Sequence, residues 1–385
     1  MQARTIRYLG GRFADYYGQA DLSMPPNPER REWGHIPWKQ GSTRMIRHHS
    51  LLEMGDINRY LHEQAPQHVY FSAAYYENPA MSSMEEKGWE GADLIFDLDA
   101  DHLPAINPEK TSYSDMLAAC KQELTNLLSF IERDFNFSDI EIVFSGSRGY
   151  HVHVRDMDVQ HLDSSARREL VDYIRGINLK TESVIYTQSS GGTNRRALRQ
   201  HGGWGRRVHQ KLVEFGQKLQ SLSEREAIDR LQAIDKIGDK RARKLYTQFT
   251  TNFDQMTSGN IEVGGQGMRY LITHLTNEAT KAQTAPIDEP VTTDTRRLIR
   301  LPGSLHGGSG LVVRRLSRDA INSFDPLSDA IADRFRSESI QVNITEPGDI
   351  EFDGDMFTID AGIQSVDESL GIFLMTRGRA EKVSE

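Results

Sequence analysis

Two aspartates end an apolar segment of the chain, Ala92–Asp99, whose sequence is ADLIFDLD. Side chains alternate faces along a β-strand, so Asp97 and Asp99 would share one face while Phe96 and Leu98 point to the other. Two carboxylates about 7 Å apart on a rigid strand repel each other, and a divalent cation would relieve that repulsion. Oxygen ligands suit Mg²⁺ or Mn²⁺, whose usual partners are phosphates. The alternative is a strand end with two solvated acids, and the spacing alone leaves both open.

A second segment that could carry chemistry is Phe144–Val154, with the sequence FSGSRGYHVHV. An apolar strand enters a turn of Ser, Gly and Arg and returns as an alternating strand. Glycine allows close backbone approach, so Ser145, Arg148 and His151 could bind phosphates together with the N–H groups of the turn. His151 and His153 also have the spacing of metal ligands on a strand. No third soft ligand lies nearby, so we favour phosphate contact for His151 and packing or a neighbouring surface role for His153; a plain hairpin turn is the alternative.

Arginines are concentrated in a third segment, Asp288–Leu311. An acid precedes a predicted strand with Arg296, Arg297 and Arg300, and a Pro-Gly turn, His306 and a glycine-rich loop follow. Three arginines on one strand cannot all face an apolar core, so at least one should face a phosphate or the carboxylates. A surface strand with a glycine hairpin is the alternative.

Taken together, the three segments resemble the small, catalytic subunit of archaeal and eukaryotic DNA primase. Asp97 and Asp99 are similar to the paired metal-binding aspartates of that family. Ser145–His151 is similar to its Ser-Gly-x-Arg-Gly-x-His nucleotide motif, and Arg300–His306 to the strand and turn that close its triphosphate site. The motifs keep the family's order and spacing from about residue 30 to residue 315, and the whole looks closest to archaeal, haloarchaeal-like members.

Two N-terminal motifs, Arg31–Gly34 and Met45–His48, also resemble motifs of the family. The resemblance implies that a glutamate and an arginine, here Glu32 and Arg47, approach the nucleotide. Ordinary surface or ion-pair roles are the alternative for both residues.

A third metal-binding aspartate is implied by the resemblance, and the sequence offers Asp288 and Asp294. We favour Asp288, because its distance along the chain from His306 is similar to the family's spacing. Many relatives carry a Cys/His zinc knuckle after the paired aspartates, but this region offers only His102 and Cys120. A structural zinc is therefore not expected.

The resemblance implies a two-metal nucleotidyl transfer in which Asp97, Asp99 and Asp288 hold Mg²⁺ or Mn²⁺. The residues expected to bind the incoming nucleotide are Ser145, Arg148, His151, Arg300, His306 and Arg47. The implied activity is the synthesis of short RNA primers on single-stranded DNA, with incorporation of deoxynucleotides also expected. The implied partners are a large primase subunit in a heterodimer, the DNA template and nucleoside triphosphates.

Two other functions stay open at this point. One is a related repair or translesion primase-polymerase, which would extend primers without starting them. The other is a non-catalytic nucleic-acid-binding subunit. Three acids argue against the second alternative, because a pure binder would not place carboxylates beside a polyanion.

Composition narrows the classes of protein further. The chain has 385 residues, a net charge of −9 and one cysteine, so it is not a generally basic nucleic-acid binder and has neither an internal disulfide nor a multi-cysteine zinc site. The first 18 residues contain no apolar signal region, and no run of 18 apolar residues occurs. We expect a cytoplasmic protein that does not insert into membranes.

The resemblance implies an α/β primase catalytic fold with a mixed central β-sheet flanked by helices. We assign residues 1–204 and 263–345 to this catalytic domain. The charged helical pattern of 205–262 predicts an inserted helical subdomain, and residues 346–385 read as an acidic C-terminal extension.

Apolar patterns predict the elements that must position the site. Residues 1–65 look mainly helical with a loop, and an apolar stripe from Met116 to Ile131 predicts a helix that Ser112 and Asp115 would cap, with Cys120 in the core. Strands are predicted at His68–Ala73, Leu94–Asp99, Ile140–Ser145, His151–Val154, Leu298–Leu301 and Leu311–Leu316, with further strand character near Val291 and at Ile372–Met375.

The most basic stretch that contains an aromatic residue could track a single-stranded backbone and stack a base. Its members are Arg195, Arg196, Arg199, His201, Trp204, Arg206, Arg207 and His209. A flexible charged loop is the alternative.

Overall fold

The chain forms two compact units. The computed structural model describes residues 1–39, 44–103, 106–107, 110–190, 193–283, 285–336 and 338–383. Unit 1 consists of residues 1–124, 138–169 and 286–385, and unit 2 of residues 125–137 and 170–285. Helices and antiparallel sheets occur together, which confirms the α/β class. Within the described ranges, no helix is long and apolar enough to cross a bilayer.

The elements follow in chain order. The strands are β1 (Trp33–Ile36), β2 (Ile46–His49), β3 (His68–Ser72), β4 (Ala74–Tyr76), β5 (Trp89–Ala92), β6 (Leu94–Asp99), β7 (Ile140–Phe144), β8 (Gly149–Val154), β9 (Ile185–Ser190), β10 (Thr193–Leu198), β11 (Leu298–Arg300), β12 (Arg314–Leu316), β13 (Ser339–Ile344), β14 (Gly348–Phe352), β15 (Asp355–Ile359), β16 (Gly362–Asp367) and β17 (Ala380–Lys382). The helices are α1 (Ala3–Tyr17), α2 (Leu51–Met54), α3 (Ile57–Gln64), α4 (Met84–Lys87), α5 (Tyr113–Arg133), α6 (Met157–Gln160), α7 (Ser164–Ile174), α8 (Gly203–Gln220), α9 (Glu224–Gln232), α10 (Asp239–Thr251), α11 (Phe253–Thr257), α12 (Gly265–Gln283), α13 (Glu289–Thr293), α14 (Pro326–Asp329) and α15 (Glu368–Thr376).

Two four-stranded antiparallel sheets form the framework of unit 1. The first has the order β11-β3-β1-β2, and the second has the order β12-β7-β8-β6. In the first sheet Arg300 lies opposite Tyr70, so the arginine-rich segment joins an edge of this sheet. In the second sheet β7 and β8 form the hairpin that the sequence predicts around Ser145–Gly149, and β6 pairs with β8.

Helix α5 covers the apolar face of β6. Its N-terminus is capped as predicted, because the Ser112 hydroxyl oxygen accepts a hydrogen bond of 3.1 Å from the Asp115 N–H. Cys120 is fully buried, and its thiol donates to the Leu98 carbonyl oxygen at 3.6 Å, which confirms its predicted place in the core. Since Leu98 and Asp97 alternate along β6, this packing leaves Asp97 on the opposite face.

Several predicted elements are wrong. Ile372–Met375, predicted as a strand, lies in α15 and is buried on all sides. A four-residue apolar run has no period that separates a buried strand from a buried helix. The predicted strand character near Val291 is helical, since Pro290 suits the first turn of α13. Residues 1–65 also contain β1 and β2, whose four residues each are too few for a strand pattern.

Unit 2 is larger than the helical insertion predicted at 205–262. It contains α8 to α12 and the hairpin of β9 and β10, and it also takes in residues 125–137. The predicted C-terminal extension at 346–385 does not stand apart, because its described residues form β14 to β17 and α15 within unit 1.

The structure corrects the predicted template role of Trp204 and Arg207. Trp204 is buried in unit 2, and its indole N–H donates to the Tyr173 carbonyl oxygen at 2.8 Å. Arg207 is buried in an ion pair with Asp134, and its guanidinium carbon lies 3.6 Å from the centre of the Phe130 ring. These two side chains therefore stabilise the core of unit 2 and are not available to stack or bind a template.

A buried ionic network fixes the start of β6. Asp93 is fully buried and accepts hydrogen bonds from Arg31 at 2.9 Å, Arg155 at 3.2 Å and the Tyr75 hydroxyl at 2.7 Å. Arg31 also donates to the Ser72 carbonyl oxygen at 2.7 Å. The network ties β6 to the end of β3 and the end of β8, so it holds the strand that carries Asp97.

We expect Asp93→Asn to destabilise the protein by about 3–5 kcal/mol, because it leaves two buried guanidinium groups without their shared carboxylate. Urea unfolding followed by circular dichroism measures the change. Asp360→Asn, at an exposed aspartate, is the matched control and should change the free energy of unfolding by less than about 0.5 kcal/mol. A loss below about 1 kcal/mol in Asp93→Asn would contradict this view of the network.

Candidate functional site

Strand β6 presents Asp97 and Asp99 toward the hairpin of β7 and β8. In the β6–β8 pairing, Asp97 lies opposite His151 and Asp99 lies opposite Gly149. The Nε2 atom of His151 is 3.5 Å from a carboxylate oxygen of Asp97. The two segments that the sequence singled out first are therefore neighbours in the second sheet.

Asp288 joins this pair from a distant part of the chain. Its backbone N–H donates to the Asp97 carbonyl oxygen at 2.9 Å, just before α13 begins. Burial, followed by the charges of Asp99 and Asp288, raises the pKa of Asp97 to about 7, although Arg300 and Arg297 oppose the shift. The other two acids named in the sequence analysis, Asp99 and Asp288, thus both act electrostatically on Asp97.

Asp294, the other candidate for the third acid, lines the same cleft as Asp97. Its carboxylate accepts a hydrogen bond of 2.9 Å from the Arg296 N–H and so caps the turn before β11. Asp288 has the direct backbone link to Asp97, and this link favours Asp288 as the third ligand.

The donor set suits a hard divalent cation. Carboxylate oxygens are the ligands that Mg²⁺ and Mn²⁺ prefer, and a cation would offset the repulsion from Asp99 and Asp288 that adds to the effect of burial on the pKa of Asp97. In the described part of the chain, no three His, Cys, Asp or Glu side chains are already arranged around an ion position. The three acids are therefore neighbours without forming a closed cage.

A cleft of about 370 Å³ opens beside Asp97. Its lining residues are Met45, Arg47, Tyr70, Asp97, His151, Asp294, Arg296, Arg297, Leu298, Ile299 and Arg300. Among the described residues, no carboxylate lies within salt-bridge distance of the Arg296, Arg297 or Arg300 side chains, and the buried Nε of Arg300 has no hydrogen-bond acceptor. The cleft therefore combines the carboxylates of Asp97 and Asp294 with three arginines that form no ion pair within the described residues.

Arg47 is held at the cleft by Glu32. Its guanidinium donates to both carboxylate oxygens of Glu32, at 2.8 and 3.2 Å, and the ammonium of Lys87 also pairs with Glu32. Burial alone would raise the pKa of Glu32, but the hydrogen bonds from Arg47 and Lys87 hold that pKa below its usual range. Glu32 thus forms an ion pair with Arg47 that orients this guanidinium at the cleft.

The turn of the β7–β8 hairpin contacts the glycine-rich loop after β11. Gly146 has φ +80°, and a Cβ atom there would lie 2.7 Å from Cβ of His306, so only glycine fits. The Ser309 hydroxyl donates to the Gly146 carbonyl oxygen. Ser145 and His306 are both buried at this junction, and the second and third sequence segments meet there.

The histidines of the site are neutral. Burial, followed by the charge of Arg300, lowers the pKa of His151 to about 3 and holds that of His306 well below its usual value. Neutral imidazoles can donate one N–H to a phosphate oxygen without carrying charge. His153 is fully buried with its ring stacked on Phe71 at 6.2 Å, which confirms packing as its role.

Arg148 is engaged by an acid that sequence reasoning missed. Its guanidinium forms an ion pair with Asp101, whose N–H in turn donates to the Asp99 carboxylate at 3.1 Å. Arg148 therefore lies beside the acidic group and outside the cleft lined by Arg300. The alternating spacing of Asp97, Asp99 and Asp101 could have identified Asp101 as a further acid of the site.

Tyr70 is a second residue that sequence reasoning missed. Its ring centre lies 5.8 Å from the Arg300 guanidinium carbon, and no pattern in the sequence indicates this contact.

The pKa of Asp97 leads to a prediction about stability. The folded chain binds the Asp97 proton more tightly than the unfolded chain does, so stability falls as the pH rises from about 4 to about 7. Asp97→Asn removes this buried charge and should raise the free energy of unfolding on the order of 2 kcal/mol at pH 8 in a chelator, with the gain shrinking at pH 5. Thermal melts at both pH values measure it; a gain equal at both pH values, or the same gain in Asp360→Asn, would refute it.

Comparisons with known proteins agree with this geometry. The family model for the DNA primase small subunit matches residues 96–318. The DNA primase small subunit PriS of Halorubrum lacusprofundi is 52% identical over 386 residues and covers both chains completely. The corresponding proteins of Haloarcula marismortui and Methanococcoides burtonii are 49% and 38% identical, and the alignments cover 100% and 99% of both chains. These matches confirm the resemblance drawn from the motifs.

Proposed function

Because the chain belongs to the DNA primase small subunit family, we propose that it catalyses template-directed nucleotidyl transfer with two divalent ions and makes short RNA primers on single-stranded DNA. In general terms the small subunit of a primase is a nucleotidyltransferase; the DNA-directed RNA polymerase class, with deoxynucleotides as further substrates, is part of this proposal. The observation that carries it is the convergence of three acids beside a cleft of uncompensated arginines.

Asp97, Asp99 and Asp288 would hold the divalent ions, Mg²⁺ or Mn²⁺. Bound ions of this kind lower the pKa of an attacking hydroxyl and stabilise the negative charge of a leaving pyrophosphate. The rigid pairing of β6 with β8 keeps Asp97 and Asp99 in place, and the N–H of Asp288 on the Asp97 carbonyl oxygen fixes the third acid. No side chain is required as a general base.

The arginines would bind the triphosphate. Arg300 and Arg297 line the cleft with Asp97 and already oppose the rise of its pKa, so their charges reach the acidic group. Arg47, oriented by Glu32, presents a further cation to the same cleft. Guanidinium groups suit phosphate oxygens, and fixed cations stabilise the charge that develops in phosphoryl transfer. Within the described residues Arg297 and Arg300 have no carboxylate partner, which leaves them available for this task.

The hairpin turn would complete the nucleotide site. Ser145 and His306 lie buried beside Gly146, and His151 is buried on β8 opposite Asp97. Neutral imidazoles can donate to phosphate oxygens without adding charge. Arg148 can join them once a phosphate competes for it with Asp101, since a triphosphate carries more negative charge than one carboxylate. In this proposal, polar uncharged groups would contact one side of the phosphates and arginines the other.

The relatives are named as small subunits, so we propose a heterodimer with a large primase subunit and a single-stranded DNA template as further partners. A cytoplasmic location is part of the same proposal. A repair-type primase-polymerase remains the second candidate among enzymes. Primer-free synthesis distinguishes the two, because a repair enzyme would only extend an existing strand.

We expect Asp97→Ala and Asp99→Ala each to reduce nucleotide incorporation by roughly 10²–10³-fold or more, because each removes an ion ligand. Incorporation of labelled nucleotides on a single-stranded template, with and without the large subunit, measures the loss. Glu289→Gln is the control, since Glu289 is next to Asp288 but pairs with Arg168 at 3.0 Å. Full activity in either aspartate variant, with an unchanged circular dichroism spectrum, would remove the catalytic assignment.

Arg300→Ala should raise the KM for nucleotides by roughly 10–100-fold, the worth of one or two charge-assisted hydrogen bonds to phosphate. Steady-state incorporation over a range of nucleotide concentrations separates KM from kcat. Arg59→Ala is the matched control, because Arg59 is an exposed arginine that pairs with Glu63 along helix α3. An equal KM in wild type and Arg300→Ala would show that this arginine does not bind the triphosphate.

A further inference from the structure

Helix α15, near the C-terminus of unit 1, positions Arg377 near the turn between β7 and β8. Every residue of α15 is buried; the helix ends at Thr376 with Arg377 as its C-cap, followed by Gly378 with φ +78°. A helix enclosed on all sides cannot shift freely, so the position of Arg377 is set by packing rather than by a flexible tail. Residue 377 lies beyond 96–318, where the family model matches, and no motif of the sequence analysis includes it.

Arg377 lies on an aromatic platform that belongs to the turn. Its guanidinium carbon is 4.3 Å from the centre of the Tyr113 ring and 5.4 Å from that of Phe373. The Tyr113 hydroxyl donates to the Ser147 carbonyl oxygen at 2.8 Å. Ser147 lies in the turn next to Arg148, so a continuous chain of contacts runs from Arg377 to the nucleotide motif.

The charge of Arg377 is not neutralised within the protein. No carboxylate of the described residues lies within salt-bridge distance of its guanidinium. Burial lowers the pKa of Arg377; Tyr113 opposes this shift, and the nearby charges of Arg148 and Arg379 add to it. The carbonyl groups at the end of α15 stabilise a cation only modestly. A half-buried arginine beside another arginine is the arrangement expected where an anion binds.

We propose that Arg377 is a further phosphate-binding residue, which grips the triphosphate together with Arg148 at the turn of the β7–β8 hairpin. This rests on the proposed function of the same site and adds a residue to it. A guanidinium stacked on Tyr113 is held in one orientation before a ligand arrives. Its N–H groups can therefore donate hydrogen bonds to a phosphate at little entropic cost. Arg148 and Arg377 would bind the incoming phosphate together. These two contacts offset the loss of the ion pair between Arg148 and Asp101.

Binding of inorganic tripolyphosphate tests the proposal without any catalytic step. Isothermal titration of the full-length protein at one fixed ionic strength should show that Arg377→Gln weakens binding by about tenfold, the worth of one charge-assisted hydrogen bond. Arg379→Gln is the matched control, since the Arg379 guanidinium is turned toward the carbonyl oxygens of Glu346 and Gly348, at 3.2 and 3.4 Å. It should stay within about twofold of wild type. Equal affinities in wild type and Arg377→Gln would overturn the proposal, as would a lowered melting temperature with unchanged affinity.

A second measurement uses the wild-type protein and so does not depend on how a variant folds. Phenylglyoxal modifies accessible arginines, and peptide mass spectrometry reports each site. Tripolyphosphate should protect Arg377 at least threefold and leave Arg379 unprotected; equal modification of Arg377 with and without tripolyphosphate would overturn the proposal. Tripolyphosphate binding that depends on Arg377, in a protein that incorporates no nucleotide, would refute the proposed enzymatic function and still support this site.

Discussion

Repulsion among three carboxylates at the end of β6 is the constraint on which the rest of the site depends. Asp97, Asp99 and Asp288 are brought together although burial and their mutual charge raise the pKa of Asp97 to about 7. Folding alone gains nothing from such a grouping, since a partly buried cluster of like charges costs free energy. The grouping becomes favourable when cations occupy it. The arginines of the neighbouring cleft supply a positive electrostatic potential that favours an anionic substrate.

The surrounding structure holds this unfavourable arrangement in place. The buried Asp93 network anchors the start of β6, and Cys120 on α5 packs against its apolar face. Gly146 permits the hairpin turn to approach His306 more closely than any larger residue would allow. The site therefore lies on paired strands and tight turns, the rigid elements that positioning of a reacting group requires. The C-terminal helix adds a rigid support of its own through Arg377.

Local sequence patterns predicted many of the strands and helices that position the site. The remaining features depend on packing between residues far apart in the chain. The alternation of Asp97 and Leu98, the Ser-Gly-rich turn and the apolar stripe of α5 each express a period within a few residues, so β6, the hairpin and the helix were predictable. The sequence does not reveal the burial of Trp204, because that burial depends on Tyr173, 31 residues earlier in the chain. The helical state of α15 and the ion pair between Arg148 and Asp101 likewise depend on tertiary neighbours, which no spacing reveals.

Manganese binding tests the convergence of the three acids most directly. Titration of the full-length protein with Mn²⁺ at pH 7, followed by calorimetry or electron paramagnetic resonance, should show binding that Asp97→Asn and Asp288→Asn each weaken by about tenfold or more. Asp294→Asn, an acid in the same cleft without the backbone link to Asp97, should change it by less than about twofold. Wild-type affinity in Asp288→Asn, or a loss confined to Asp294→Asn, would contradict the assignment of Asp288 to the ion-binding group.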